Sequence, residues 1–397
     1  MNKKHIQAIA CLVGAVFVIL GIILHFLVPS ILHKKIMEAL VLVNMSDSEV
    51  FSAWVEHPVP IYMKFYLFNV TNPQDILINS SKPTLQEMGP YTFREYRQKV
   101  DIQFSDDGET VSYKLHKRFD YLPNQSNGSL MDNVTVLNVP FMAMAMETEG
   151  KLNLAEMMIL PQIIKIYKAT PFVTKTVDEL LFKGYKDNLI MYLESQSGKK
   201  ILPNGTFGFF YERNDTYDDY SVSTGKKDLK SYLEIHKWNN KSSLGWWNSK
   251  YCNMINGTDG AGFSPFLKQN KKIYMFIDEL CRSIYLDYEK IHYKSGIKIH
   301  RYVLSPSLFK SPDIKPENKC YCNKTKKCLK SGAFDISPCH KGTPVVLSLP
   351  HFYQGDDSYN NAVIGLNRSE NRHRSILDLE PDVKKIPRNG ISSYVDG

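Results

Sequence analysis

The sequence has only one long apolar run in its 397 residues, which excludes a protein that crosses a membrane many times. It has no low-complexity tract, and 43% of its residues are hydrophobic, which excludes a disordered chain. Lysine and arginine exceed the acids by only 49 to 41 and form no long basic run, so nucleic acid is not expected as a partner. Without internal repeats or a long Pro/Gly linker, the chain beyond the apolar run is expected to form one large domain.

Motifs of the common hydrolases and phosphate-binding enzymes are also missing. The sequence contains no Gly-x-Ser-x-Gly elbow, no phosphate-cradling glycine loop and no His-Glu-x-x-His pair. His351 and His373 could act as acid–base groups, but neither has a partner nearby in the sequence. We therefore expect no enzymatic activity, no catalytic residue, no cofactor and no metal site.

The single apolar run, Ala8–Val28, is long enough to cross a bilayer as a helix. A cleaved signal peptide has a shorter apolar region that ends in small residues, whereas this run ends in Phe26-Leu27-Val28-Pro29. We therefore predict a short cytoplasmic tail at residues 1–7 and an uncleaved transmembrane signal anchor at residues 8–28. The pattern of Ile31–Val43 predicts that the helix continues out of the membrane.

Asparagine-linked glycosylation sequons indicate which side of the membrane holds the rest of the chain. There are twelve, whereas the frequencies of Asn, Ser and Thr would give about three by chance. Glycans cover and solubilise surface that faces the lumen or the outside, so the bulk of the chain is expected there. The predicted sites are Asn44, Asn69, Asn79, Asn124, Asn127, Asn133, Asn204, Asn214, Asn240, Asn256, Asn323 and Asn367.

The cysteines agree with an oxidising compartment. Cys11 lies in the apolar run, and the other six form an even set in one stretch, which predicts three disulfides with fifteen possible pairings. A zinc site is the alternative, because Cys339-His340 and the neighbouring cysteines could supply ligands, but the CxxC spacing typical of such sites is absent. We expect disulfides among Cys252, Cys281, Cys320, Cys322, Cys328 and Cys339.

Short aromatic and β-branched runs separated by Asn, Gly and Pro predict a mainly antiparallel β core. Early and late strands are expected to belong to one sheet system. The predicted strands are Ile61–Phe68, a strand from Tyr91 onward, Val111–Leu115, Phe207–Tyr211, Ile299–Leu304 and Val345–Leu349.

A helical region is predicted between the early and late strands. Apolar positions recur at helical spacing from Val177 to Tyr185. The segment Leu154–Tyr167 is apolar nearly all round, with Pro161 expected to kink or restart the helix and with Lys165 and Lys168 at its end. From these residues alone, burial of the segment is the better expectation, and a surface that binds an external partner is the alternative.

Six motifs stand in an order that closely resembles the class B scavenger receptor family. This family includes the fatty-acid translocase glycoprotein, the high-density-lipoprotein receptor and the lysosomal integral membrane protein. The resemblance runs from about Ile6 to Pro381. Its motifs are Phe68–Pro73, Glu87–Arg94, Cys252–Gly260, Cys281–Tyr285, Ser348–Phe352 and His373–Pro381.

The resemblance implies a non-enzymatic receptor of the α+β class. Its ectodomain, residues 29–381, would be an antiparallel β-barrel with an apical helical bundle and an internal hydrophobic tunnel. The family pattern continues into a second transmembrane helix, whereas residues 382–397 are polar and atypical, so we expect the chain to be C-terminally incomplete. The implied disulfides are Cys252–Cys320, Cys281–Cys339 and Cys322–Cys328.

The resemblance also assigns a ligand-binding apex to the Leu154–Tyr185 region and so reverses the expectation of burial. The residues expected to bind are Lys168, Lys165, Met157, Ile163 and Ile164, with the two lysines projecting toward one side of the helix. Expected partners are lipids, lipoproteins or anionic particles, and the alternative is a protein cargo held by the same helices. The cell surface is the expected location, with the lysosomal membrane as the alternative.

Overall fold

The computed structural model describes residues 3–44, 48–148, 153–197, 202–265, 267–322, 328–340, 345–381 and 394–396. Of the atypical tail at residues 382–397, only residues 394–396 fall within this part. The predicted glycosylation site Asn323 lies outside the described residues.

The chain begins with a long helix, α1 (Lys3–Leu40), which contains the predicted anchor and all but the last three residues of its predicted continuation, Ile31–Val43. Its segment Leu12–Leu40 has a mean hydropathy of 2.6, and its most apolar window has no residue buried against the rest of the protein. A bare apolar helix of this length is stable in a bilayer, where its backbone groups are satisfied internally. The helix therefore has the length and surface of a transmembrane anchor, as predicted.

Beyond α1 the described chain alternates strands with short helices. The helices are α2 (Glu49–Val55), α3 (Pro73–Asn79), α4 (Val139–Thr148), α5 (Leu154–Ile166), α6 (Val177–Leu181), α7 (Asn188–Ser197), α8 (Asp357–Asn361) and α9 (Glu370–His373). The strands are β1 (Ile61–Val70), β2 (Leu85–Phe104), β3 (Thr110–Tyr121), β4 (Asn133–Leu137), β5 (Phe172–Thr176), β6 (Tyr185–Lys186), β7 (Thr206–Phe207), β8 (Thr216–Ser223), β9 (Ile235–Trp238), β10 (Ile273–Ile277), β11 (Arg282–Lys294), β12 (Ile297–Leu304), β13 (Phe334–Asp335), β14 (Val346–Leu347), β15 (Ile376–Leu379) and β16 (Tyr394–Asp396).

The first large sheet has the antiparallel order β1-β2-β3-β8-β9. Its central strand β3 buries every second residue, because successive side chains of a strand point to opposite faces. The buried positions are Val111, Tyr113, Leu115, Lys117 and Phe119. The predicted strand Val111–Leu115 is therefore the middle of a longer strand with one face in the core.

The second large sheet has the order β10-β11-β12-β15-β16, so early and late strands lie in two sheets and not in one. A short segment links them: Ile235 of β9 donates its backbone N–H to Gly257 O (2.9 Å), and Phe276 of β10 donates to Thr258 O (2.8 Å). Gly257 has φ +83°, and a Cβ there would lie 2.0 Å from Tyr274 O, so only glycine permits this approach. The sheets are thus hydrogen-bonded through a bridge, while a closed barrel stays a prediction.

Both sheets contribute to the largest hydrophobic core. The ring centres of Trp54 and Tyr113 lie 5.1 Å apart in an edge-to-face contact within this core. The ring centres of Phe276, from the second sheet, and Trp238, from the first, lie 5.3 Å apart. A shared core of this kind ties the two sheets into one ectodomain.

Three local predictions differ from the structure. The predicted strand Phe207–Tyr211 forms only its first residue as strand, because Phe209 and Phe210 donate backbone N–H groups to carbonyls at the end of α6. The helix predicted to reach Tyr185 ends at Leu181, since Gly184 adopts φ +75° before β6. Helix α5 continues through Pro161 and does not restart there.

Candidate functional site

Three helices, α4, α5 and α7, stand at the end of the first sheet that is farthest from α1. Leu42, just beyond α1, donates its backbone N–H to Thr224 O (3.0 Å) beside the start of β3. The pair of strands β4 and β5, between which α4 and α5 lie, contacts the last residues of β1 instead. There Thr135 donates its N–H to Asn69 Oδ1 (2.8 Å). The three helices therefore lie at the end of the first sheet opposite α1, and we call this end the apex.

The apical helices pack on one another through a small apolar core. Met144 of α4 and Leu189 and Ile190 of α7 are buried there. Ile163 and Ile164 of α5 are partly buried against this core. These two residues, predicted to bind ligand, thus lie on the face of α5 that holds the apex together.

Two polar caps fix the bases of α4 and α7. Asp187 Oδ1 accepts the N–H groups of Leu189 and Ile190 at 3.0 Å, which satisfies the free donors at the start of α7. Asn138 stands before α4 and donates its side-chain amide to Asp187 Oδ2 (3.3 Å) and to Thr170 O (3.2 Å). The two helices are therefore joined at their starts by one hydrogen-bonded pair of side chains.

The outer face of α5 is apolar and exposed. Leu154, Met158 and Ile166 are 77%, 70% and 73% exposed, and Met157 and Ile159 are exposed beside them. We call these five residues the apical apolar patch. Apolar side chains gathered on one exposed face of a soluble domain indicate a surface that meets another molecule.

The two lysines border this patch, but they are not on one helical face. Lys165 lies in the last turn of α5, whereas Lys168 follows the helix with φ +49° and donates its N–H to Lys165 O (3.2 Å). Ala169 N–H closes the end by donating to Ile164 O (3.0 Å). Both side chains are exposed at a helix C-terminus, where the helix dipole favours cations. The two lysines were predicted to project from one side of a single helix, whereas only Lys165 belongs to the helix and Lys168 follows its end.

An ionic cluster on the inward face of the first sheet was not predicted; its Lys117 and Asp278 side chains are covered, whereas Glu279 is partly exposed. Lys117 Nζ lies 3.3 Å from both Asp278 Oδ2 and Glu279 Oε1. Burial and a hydrogen bond with Glu279 raise the pKa of Asp278 to about 7. Partial burial opposes ionisation of Glu279, but its bond to Asp278 and the charge of Lys117 prevail and lower its pKa to about 2. The two carboxyl groups therefore share one proton near neutral pH.

A second buried cation extends this cluster toward α1. Lys99 Nζ donates to Trp54 O (2.7 Å) and lies 5.0 Å from the Trp54 ring centre. Burial is the largest effect on its pKa and lowers it to about 8. The signal available in the sequence was the alternation of charged residues along β2, where Glu95 and Lys99 are buried and Arg97 between them is half-buried.

Three of the family-like motifs meet in one hydrogen-bonded group. His351 Nδ1 accepts the N–H of Asn367 (3.0 Å), so its Nε2 carries the proton and donates to Glu87 Oε2 (2.5 Å). Arg372 Nη2 binds the other oxygen of Glu87 at 2.8 Å, and the ring of His373 stacks on His351 at 4.3 Å. The two histidines considered as acid–base groups thus hold distant segments together.

The six cysteines form three pairs at disulfide distance, and these are the pairs that the resemblance implies. The Cα–Cα separations are 6.3 Å for Cys252–Cys320, 6.4 Å for Cys281–Cys339 and 5.1 Å for Cys322–Cys328. His340 lies beside Cys281 and Cys339, but sulfurs paired with each other cannot act as thiolate ligands for zinc.

Most described glycosylation sequons lie on the surface. Asn69 and Asn256 are half-buried, and Asn69 Oδ1 is engaged with Thr135. The exposed sites are Asn44, Asn79, Asn124, Asn127, Asn133, Asn204, Asn214, Asn240 and Asn367.

Comparison with known proteins identifies the family. A model of the CD36 family matches residues 12–383. Lysosome membrane protein 2 of Rattus norvegicus is 36% identical over 360 residues, which cover 89% of this chain and 73% of the relative. Scavenger receptor class B member 1 of Mus musculus is 34% identical over 379 residues, 95% of this chain and 72% of the relative. The chain therefore belongs to the CD36 family of class B scavenger receptors.

Proposed function

We propose that the protein is a membrane-anchored scavenger receptor that captures lipoproteins or other particles with anionic or oxidised lipids at its apex. It then passes lipid along an apolar route inside the ectodomain, without catalysis. The observation that carries this proposal is the apical apolar patch, which lies beside Lys165 and Lys168 at the end of the ectodomain opposite the anchor.

This surface suits a particle whose coat mixes acyl chains with anionic headgroups. Met157 and Met158 are flexible and polarisable, so they adapt to ligands of varied shape. Each exposed lysine contributes about 1 kcal/mol near an anionic lipid surface, and salt screens that contribution. Capture should therefore combine a salt-resistant apolar contact with a salt-sensitive charged one.

The proposed lipid route follows the inward face of β3. Phe119 belongs to the apolar cluster beneath the apex, and Leu115, Tyr113 and Val111 belong to the cluster nearer α1. A lipid that stays against apolar side chains avoids exposing each CH₂ to water, which would cost about 0.8 kcal/mol. Lys117 lies between the two clusters, so the route has a polar section at the level of Asp278 and Glu279.

The alternative is a trafficking or adhesion receptor that binds a protein cargo through the same helices. Its support is the similarity to lysosome membrane protein 2, together with an exposed apolar helix of the kind that docks on protein surfaces. Both functions use the apex, and they differ in what the apical apolar patch meets.

The test compares the full chain with the variant Lys165→Glu/Lys168→Glu in binding to phosphatidylserine vesicles. Lys268→Glu/Lys271→Glu is a matched control, because Lys271 likewise donates its N–H to the carbonyl three residues earlier and both side chains are exposed. We expect the apical variant to bind at least about tenfold more weakly, as two contributions of about 1 kcal/mol are lost.

Salt titration completes this test. Wild-type binding and control binding should weaken as salt rises, whereas the apical variant should lose most of that dependence. An apical variant that binds vesicles as tightly as the wild type, with an unchanged salt slope, would contradict lipid capture at this apex.

A further inference from the structure

The hairpin of β11 and β12 ends in a tip that is both apolar and basic. Tyr293 is 70% exposed, Ile297 47% and Ile291 38%. Residues 290–301 include three lysines and contain no acidic residue, while Arg301 and His292 of this segment are paired with Asp378 of β15. An exposed strand pair with this composition is suited to a surface that offers both apolar groups and negative charge.

The exit of α1 defines the membrane side of the ectodomain. Leu42 bonds Thr224 O, and Thr224 in turn donates its N–H to Glu109 O (3.0 Å). Strand β3 begins at the next residue, Thr110, so it runs away from the membrane. Strand β8 is antiparallel to β3 and β9 is antiparallel to β8, so β9 also runs away from it.

Strand β11 runs back toward the membrane. Gly257 accepts the N–H of Ile235, the first residue of β9, and lies against the backbone of Tyr274 in β10. Trp238 at the end of β9 packs on Phe276, which is two residues further along β10. Strand β10 therefore runs in the same sense as β9, away from the membrane. Because β11 pairs antiparallel with β10, its last residues approach the membrane side.

The pairing of β12 and β15 agrees with this direction. Strand β2 ends at Phe104, which pairs with Val111 near the membrane side, so Glu87 near its start is distant from the membrane. Arg372 binds Glu87, and β15 begins shortly after Arg372. Strand β12 is antiparallel to β11 and so runs away from the membrane, while β15 is antiparallel to β12 and so runs toward it. The turn before β12 therefore faces the membrane.

The hairpin is also long. Leu286 pairs with the first residue of β10, and β11 continues from there to Lys294. At a strand rise of about 3.3 Å per residue, this extension is roughly 26 Å. The pairing of Tyr293 with Lys298 and of Lys294 with Ile297 gives each face of the tip one apolar residue and one lysine.

We propose that this tip rests in the headgroup layer of the membrane that anchors α1, with Tyr293, Ile291 and Ile297 at the boundary of the acyl chains. Tyrosine favours this boundary because its ring is apolar and its hydroxyl is polar. Lys290 contacts anionic headgroups, and Lys294 and Lys298 add positive charge to the same tip. The hairpin then adds a second point of contact to the anchor α1, which limits the tilt of the ectodomain and keeps the apex directed outward. This contact is independent of what the apex binds.

A fluorescent label at the tip tests the proposal in the full chain reconstituted into vesicles. Ser295→Cys in a Cys11→Ala background places a polarity-sensitive dye at the turn. Ser80→Cys is the matched control, because Ser80 is also exposed and left-handed, with φ +52° against +50°, but lies after α3 on the side away from the membrane. Both labelled proteins must keep the unfolding temperature of the unlabelled chain.

In vesicles containing phosphatidylserine with brominated acyl chains, we expect the label at position 295 to shift to shorter wavelength and to lose at least half of its emission, with little change at position 80. In phosphatidylcholine vesicles the quenching at position 295 should be weaker. Lys290→Glu/Lys294→Glu/Lys298→Glu should reduce it several-fold in the anionic vesicles. Quenching at position 295 no greater than at position 80 in anionic vesicles would overturn the proposal.

Discussion

At the scale of single residues, the carboxyl pair of the β10–β11 turn and its partner Lys117 form a group that responds to pH. Asp278 keeps a proton near neutral pH because it is buried and bonded to Glu279, while Lys117 holds the remaining negative charge of the pair. These residues could not be placed from the sequence, because Asp278 and Glu279 lie 161 and 162 residues from Lys117 along the chain. Only the packing of the β10–β11 turn against β3 brings them to Lys117.

The variant Asp278→Asn tests this shared proton. Between pH 4 and pH 7 the folded protein retains a proton on Asp278 that the unfolded chain has released, because the folded pKa is about 7 and the ordinary value is 3.8. Stability from this group therefore rises as pH falls through that window. In thermal unfolding, the wild type should gain more in unfolding temperature between pH 7.5 and pH 5 than Asp278→Asn, by a few degrees. Equal gains in both proteins would show that Asp278 is ionised throughout.

At the scale of elements, the alternating strands were the most predictable part of the fold. The predicted Ile61–Phe68 lies within β1, and Ile299–Leu304 lies within β12, because a half-buried strand shows its period of two in the sequence. Helix α5 was predicted as an element, but its exposed face was not. In a helix that is apolar all round, the sequence pattern does not show that Met157 is exposed and Ile163 is partly buried. The packing of α5 against α4 and α7 decides which residue is covered.

The joined caps of the apex provide a test of element stability. Asp187→Ala removes the cap of α7 and the bond to Asn138, which should destabilise the apical helices by about 1–2 kcal/mol. Amide hydrogen exchange in α4 and α7 should become several-fold faster, while β2 and β3 stay protected. Asp356→Ala, which removes the cap of α8, should leave the apex unchanged. Unchanged exchange in α4 and α7 of Asp187→Ala would show that the apolar core alone holds the apex.

At the scale of the whole molecule, the apolar anchor, the two antiparallel sheets and the three cysteine pairs describe a receptor of the CD36 family. The sequence predicted the anchor and, through its resemblance, the cysteine pairing. It did not predict that early and late strands form separate sheets, because the bridge through Gly257 depends on contacts between segments far apart in the chain. The closed barrel and the continuous tunnel stay predictions of the resemblance.

Lipid transfer into cells that display the full chain tests the central claim most directly. Anionic vesicles would carry one label on a transferable lipid and a second label in a core that cannot exchange. We predict that the transferable label accumulates several-fold above the core label, and that Lys165→Glu/Lys168→Glu lowers both labels. Accumulation of both labels in equal amounts, or at the level of cells without the protein, would contradict a receptor that captures particles and moves their lipid.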